Sequence, residues 1–91
     1  MDDLSRFRSK RALVFGPLWA VEDVFPMLKN AGMQIVNEHD VHVALELVGA
    51  CSVAFISYGA TGSAAIRSAS KAAGLPRFCV RRHGRVEVDR G

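Results

Sequence analysis

Residues 11–17 read Arg11-Ala12-Leu13-Val14-Phe15-Gly16-Pro17, and residues 52–63 read Ser52-Val53-Ala54-Phe55-Ile56-Ser57-Tyr58-Gly59-Ala60-Thr61-Gly62-Ser63. Each holds a short, unbroken apolar run that stops at small or turn-forming residues. A strand with one wet face alternates apolar and polar side chains, whereas a run without alternation belongs to a strand covered on both faces, as in a parallel sheet. Two such runs, with helical patterns between and after them, predict an α/β domain.

Moving outward, Leu18, Val21, Val24 or Phe25, Leu28 and Ala31 recur near helical spacing, and Gly32 stops the pattern. Pro26 lies inside this stretch, where it removes a backbone donor and clashes with the preceding turn at a cost of about 3 kcal/mol. Either Asp23 caps a short helix with Pro26 in its first turn, or a longer helix starts after Pro17 and kinks near Glu22. The apolar stripe beginning at Leu18 favours the kinked helix.

Met33-Gln34-Ile35-Val36-Asn37 reads as a second strand, and Asp40 as the cap of a helix whose buried face is Val41, Ala44, Leu45 and Val48, closed by Gly49. After the third strand, Ser52 to Ser57, comes a helix with Ala65, Ile66, Ala69 and Ala73 on its buried side. Gly74-Leu75-Pro76 ends it, and Arg77 to Arg81 forms a fourth strand at an edge. Residues 85–89 also alternate, and His83-Gly84 is a turn pair that would close a C-terminal hairpin there. With right-handed crossovers, the expectation is a three-layer, Rossmann-like or flavodoxin-like domain. It has three main helices and a four-stranded parallel sheet of order 2-1-3-4.

The chain of 91 residues holds one such domain, residues 11–91, preceded by a flexible basic arm, residues 1–10, that lacks apolar periodicity. Apolar residues make up 49% and charged residues 23%, a composition too hydrophobic for intrinsic disorder. No apolar run reaches the length of a membrane span and the first ten residues are charged, so the expected location is the cytoplasm. Cys51 and Cys79 have neither CxxC nor zinc spacing; both fall in expected strands and read as buried, reduced thiols.

In open parallel sheets ligands settle beyond the carboxyl ends of the strands, where the strand order reverses. That places a candidate ligand site between the loops after the first and third strands: Gly16 and Trp19 from one, Ser57, Tyr58, Gly59, Thr61, Gly62 and Ser63 from the other. Arg81 and Arg82 leave the fourth strand at the same rim. Free amides at the start of the third helix suit a phosphate or carboxylate, although glycines and hydroxyl residues are also what any tight turn or helix cap needs. Neither a GxGxxG nor a GxxxxGK[ST] motif is present, so no nucleotide cofactor is implied.

Glu38, His39, Asp40 and His42 are the densest group of metal-ligand types, but their spacing fits no metal motif and Asp40 is needed as a cap. No nucleophile-base pair or acid-base carboxylate pair can be assembled, which disfavours catalysis. Arginines and lysines crowd residues 6–11 and residues 77–90, yet the net charge is only +3. With no aromatic-interleaved basic strand and no helix-turn-helix pattern, nucleic-acid binding is disfavoured on sequence.

The series Leu13-Val14-Phe15-Gly16, Gly32-Met33-Gln34-Ile35-Val36, His39-Asp40, and Phe55-Ile56-Ser57-Tyr58 through Lys71-Ala72-Ala73-Gly74-Leu75-Pro76 resembles the bacterial Domain of Unknown Function 2325. This resemblance covers nearly everything after the arm. It implies a short Rossmann-like unit with a hydroxyl residue, here Thr61, entering the third helix; Gly62 stands where that family continues with histidine. The spacing is also similar to the front of a receiver domain, but Gly16-Pro17 and Ser57 replace the acidic residues and phosphoacceptor aspartate. A sugar-transport phosphotransfer domain would need a cysteine ending the first strand, where this chain has Gly16 and Pro17. The expected function is a non-enzymatic binding or regulatory module, taking a small anionic or phosphorylated ligand or a protein partner at the two loops. Self-association into a homodimer is favoured by the thin helix cover. The alternatives are phosphoryl or nucleotide chemistry at the same loops and nucleic-acid binding through the basic termini.

Overall fold

The computed structural model describes residues 4–90. Strands β1 (Arg11–Phe15), β2 (Gln34–Glu38), β3 (Val53–Ser57) and β4 (Arg77–Val80) run parallel, and β5 (Val86–Val88) runs antiparallel to β4. The order is β2-β1-β3-β4-β5. The sheet is therefore five-stranded and mixed, which corrects the expected four-stranded, all-parallel sheet and moves β4 away from the edge. A tight turn at Arg82–Arg85 brings the tail back: His83 and Gly84 both take left-handed conformations, and the Arg85 N–H donates to the Arg82 carbonyl at 3.3 Å. A turn of this hand matches the twist of the strands it joins. Pairing with β5 occupies the outer backbone groups of β4, which would otherwise form an open edge.

The first crossover is broken rather than kinked. Helix α1 (Leu18–Val21) passes through a 3₁₀ turn at Glu22–Val24 into α2 (Phe25–Asn30). Pro26 falls in the first turn of α2, where its missing N–H removes no helical hydrogen bond. The structure thus combines the two arrangements open to the sequence, without a side-chain cap from Asp23. Helix α3 (Val41–Leu47) starts at Asp40, whose Oδ1 accepts from the N–H groups of His42 and Val43 at 2.9 and 3.2 Å. Helix α4 (Ser63–Ala72) completes the last parallel crossover.

Alternate residues of β1 and β3 feed two cores. Ala12, Val14, Val53 and Phe55 join Val21, Val24 and Leu28 on one face, while Leu13, Phe15, Ala54 and Ile56 join Ala44, Val48 and Ile66 on the other. The helices bury narrower stripes than their spacing suggests. Leu18 and Leu45 are exposed, as are Ala65 and Ala73, and α4 buries Ile66 and Ser70. Short helices over a small sheet are covered only along the line of contact, so residues flanking that line reach solvent. Cys51 precedes β3 instead of lying within a strand, but both cysteines are buried and free.

The basic N-terminal segment is not a loose arm over its described part. Residues 4–7 form a 3₁₀ turn that buries Leu4 and Phe7 in the α1/α2-side core. The Phe7 ring meets Phe78 edge-on at 6.4 Å, and Phe78 stacks on Phe55 at 4.9 Å. The local polar composition hid these two side chains, which cover the part of β3 and β4 that α1 and α2 leave open. Residues 1–3 lie outside the described residues. Phe7→Ala is expected to destabilise the fold by about 3 kcal/mol, read from urea unfolding; an unpacked arm would give no change.

Candidate functional site at the carboxyl rim

The loops after β1 and β3 are brought into direct contact by a glycine. Gly16 ends β1 at φ +143°, and a Cβ built there would lie 2.9 Å from the Ser57 Cβ and 3.0 Å from Val21 Cγ1. Any side chain at residue 16 would push the two strand ends apart. The Gly16 N–H donates to the Glu38 carbonyl at 3.0 Å, and the Asn37 amide donates to the carbonyls of Val14 and Gly16 at 2.9 and 3.2 Å. Asn37, unremarked in the sequence, therefore clamps the end of β1 from the neighbouring strand. Only the parallel register, which sets Asn37 beside Val14, reveals that role.

Trp19 and Leu18 stand at this rim, 82% and 55% exposed. Trp19 is the only tryptophan of the chain. On the facing side, the segment after β3 is stitched to itself. Ala60 N–H donates to the Ser57 carbonyl and Ser63 N–H to the Ala60 carbonyl, both at 3.1 Å, and Ser63 Oγ donates to the Tyr58 carbonyl at 3.0 Å. Gly62, left-handed at φ +86°, caps α4, and a Cβ on it would come within 2.9 Å of Val41. Ser57 is buried, whereas Gly59 and Thr61 are exposed. Neither Thr61 nor Ser63 supplies a side-chain cap to α4.

Tyr58, Arg81 and Arg82 take three different surroundings. The Tyr58 ring lies under the Arg67 guanidinium at 4.3 Å, and its hydroxyl donates to the Asp89 carboxylate. Asp89, nearly buried, also accepts from Arg67 Nε and Nη2 at 3.0 and 3.4 Å and faces Arg77 Nε at 3.6 Å, an ionic contact too long for a hydrogen bond. Arg81 turns to Glu87 at 2.9 Å. Arg82 is exposed in the β4–β5 turn. Tyr58 thus helps fasten the C-terminal hairpin to Arg67 of α4, while Arg81 ties β4 to β5 within the hairpin. Burial and the Asp89 carboxylate push the Tyr58 hydroxyl up to about 12. Asp89 and Arg67 gave no signal in the sequence; the alternation of residues 85–89 hinted at the strand that delivers Asp89, but not at its partners.

No family model, curated protein or solved structure matches this chain.

The polar group before α3 serves the backbone. Glu38 Oε1 accepts from the N–H groups of His39 and Asp40 at 3.0 Å each, and Asp40 caps α3. Among the described residues no three His, Cys, Asp or Glu side chains are gathered to hold a metal ion. Burial pushes the thiols of Cys51 and Cys79 up, the reverse of what a nucleophile needs.

Two outcomes check this geometry. Gly16→Ala is expected to cost at least about 2 kcal/mol through clash and backbone strain, while Gly59→Ala, with open space around it, stays within about 0.5 kcal/mol. Tyr58 is the chain's single tyrosine, so ultraviolet titration reports it alone; a midpoint near 12 is expected, moving down in Asp89→Asn. Because the folded value is raised above the ordinary tyrosine value of about 10, the stability it contributes is full below that pH. It is lost as the pH climbs through the folded value.

Proposed function

We propose that this domain is a non-enzymatic binding module whose carboxyl rim receives a protein partner, with Trp19 as the anchor and Leu18 beside it. The observation that carries the proposal is the exposure of the sole tryptophan, at 82%, on the loop that Gly16 holds against Ser57. A large aromatic left in water at a rigid loop gains free energy when a partner covers it, and tryptophan is the residue most enriched among interface hot spots. Gly16, Asn37 and the stitched 57–63 segment fix the loop bases in advance, which lowers the ordering cost of association.

A small anion is a weaker occupant of the same rim. Glu38 ends β2, Glu22, Asp23 and Asp40 follow β1 or β2 at this end, Arg81 is paired with Glu87, and the Ser63 hydroxyl is spent on the Tyr58 carbonyl. Resemblance to Domain of Unknown Function 2325 belongs to the proposal as a fold expectation and brings no chemistry with it, since Gly62 stands where that family carries histidine.

The test compares affinity capture from extract of the source cells by the wild-type chain and by Trp19→Ala. A discrete protein retained by the wild type and lost from the variant is expected, with the variant's stability within about 0.5 kcal/mol of wild type. Identical capture by both chains would overturn the proposal. So would a Trp19 fluorescence change produced by inorganic phosphate instead of by protein.

A further inference from the structure

The sequence crowds nine of its twelve lysines and arginines toward the two ends of the chain, but the fold sorts them by rim. Because the first four strands run parallel, the starts of those four strands and the ends of the crossover helices fall at the amino rim, as does the end of the antiparallel β5. That end is tied together by backbone hydrogen bonds between successive segments. Ser9 N–H donates to Gly32, Gln34 N–H to Lys10, Ser52 N–H to Arg11, Ala54 N–H to Pro76 and Asp89 N–H to Arg77, all between 2.8 and 3.0 Å. Along this line stand Arg8, Lys10, Arg11, Lys29 at the end of α2, Lys71 at the end of α4, and Arg90 after β5, all exposed.

The opposing charge is small. Glu46, near the end of α3, is exposed at this end, and Asp89 is already held by Arg67 and Arg77. Among the described residues six exposed cations stand at this end against one exposed acid, Glu46; subtracting the sequence charges of Asp2 and Asp3 as well still leaves an excess of three. Arg81 and Arg85, which a linear reading groups with Arg90, lie at the opposite rim and pair with Glu87. The basic segment is also held in place: Leu4 and Phe7 anchor it, Ser9 adopts a left-handed turn, and the Arg8 Cγ packs 3.1 Å from where a Cβ of Gly32 would stand.

We infer that the amino rim is a binding surface for the phosphate backbone of double-stranded nucleic acid, independent of the carboxyl-rim proposal. Charge complementarity selects a polyanion. Absence of stacking groups selects a duplex: Phe7 and Phe78 are buried, Trp19 belongs to the other rim, and single-strand platforms depend on exposed aromatics. An anionic membrane surface is a poorer fit, because stable attachment draws on several exposed apolar side chains; Leu18 and Trp19 lie at the opposite rim, and toward the amino rim only Leu45 of the exposed large apolar groups among the described residues stands near the end of α3. Binding through the backbone alone is indifferent to sequence. The domain's extents of 28 × 25 × 22 Å give a face that spans about seven base pairs at 3.4 Å each.

Fluorescence anisotropy of a labelled duplex of about 20 base pairs, followed across salt concentration, tests this inference. Neutralising about four phosphates predicts a log–log slope near −3.6 and an affinity loss of about 100-fold from about 50 to about 200 mM salt. Lys10→Glu and Arg82→Glu make the same change in net charge at opposite rims. Lys10→Glu is expected to weaken binding about tenfold and flatten the slope by about one, with an unfolding midpoint like that of wild type, while Arg82→Glu leaves binding within about twofold because bulk salt screens its distant charge. No binding at low salt, equal loss in the two variants, or retention by phosphatidylserine vesicles without duplex binding would each overturn the inference.

Discussion

Four residues of β1 and four of β3, Ala12 to Phe15 and Val53 to Ile56, have no solvent exposure on either face of the sheet. A two-faced apolar sheet must be covered twice, because each uncovered face loses the transfer free energy that drives burial, about 25 cal/mol per Å². A chain of 91 residues has little material to spare for two covering layers. Most distinctive features of the molecule are responses to that shortage. The first crossover wraps its face as two short helices, the N-terminal 3₁₀ turn contributes Leu4 and Phe7, and the C-terminal tail returns as β5 to pair with β4.

Covering the core also distributes charge. Packing of Leu4 and Phe7 draws the neighbouring arginines and lysine onto the amino rim, beside the cations that end α2 and α4. Lysines at helix ends complement the helix dipole in their own right, so part of this accumulation has a local cause. Its extent does not: the topology collects the ends of two separate helices, the start of β1 and Arg90, two residues past β5, on one face. At the carboxyl rim the hairpin consumes Tyr58 and Arg81 for its own attachment, leaving Leu18 and Trp19 as the prominent uncommitted apolar groups.

The Tyr58, Arg67, Arg77 and Asp89 cluster shows the cost of fastening a short strand to a small domain. β5 is three residues long and its ladder alone is a weak hold. One nearly buried carboxylate receives a phenol and two guanidinium groups. A buried charge is tolerable only when its hydrogen-bonding capacity is met, and removal of one member strands the others. Tyr58, one of the candidate ligand-site residues that follow β3, is a member of this structural tie.

The β1 and β3 segments were legible because unbroken apolar runs have few soluble solutions, and the helix-strand alternation followed from period and punctuation at Gly32, Asp40, Gly49 and Gly74. Proximity of Gly16 to the end of β3 also followed, since right-handed crossovers constrain which strand ends meet. Local pattern could not reveal that Leu4 and Phe7 belong to the core, because two apolar side chains among charged neighbours carry no period. Nor could it reveal that Tyr58 faces Asp89 or that Arg90 shares a face with Lys10 while Arg85 does not. Sequence by itself determined which strand segments leave water on both faces and where the helices between them start and stop, since hydrophobicity and hydrogen-bonding period are properties of short segments. Tertiary structure alone decided which polar and charged groups meet, because electrostatic partners are set by distances between segments that the chain's order does not encode.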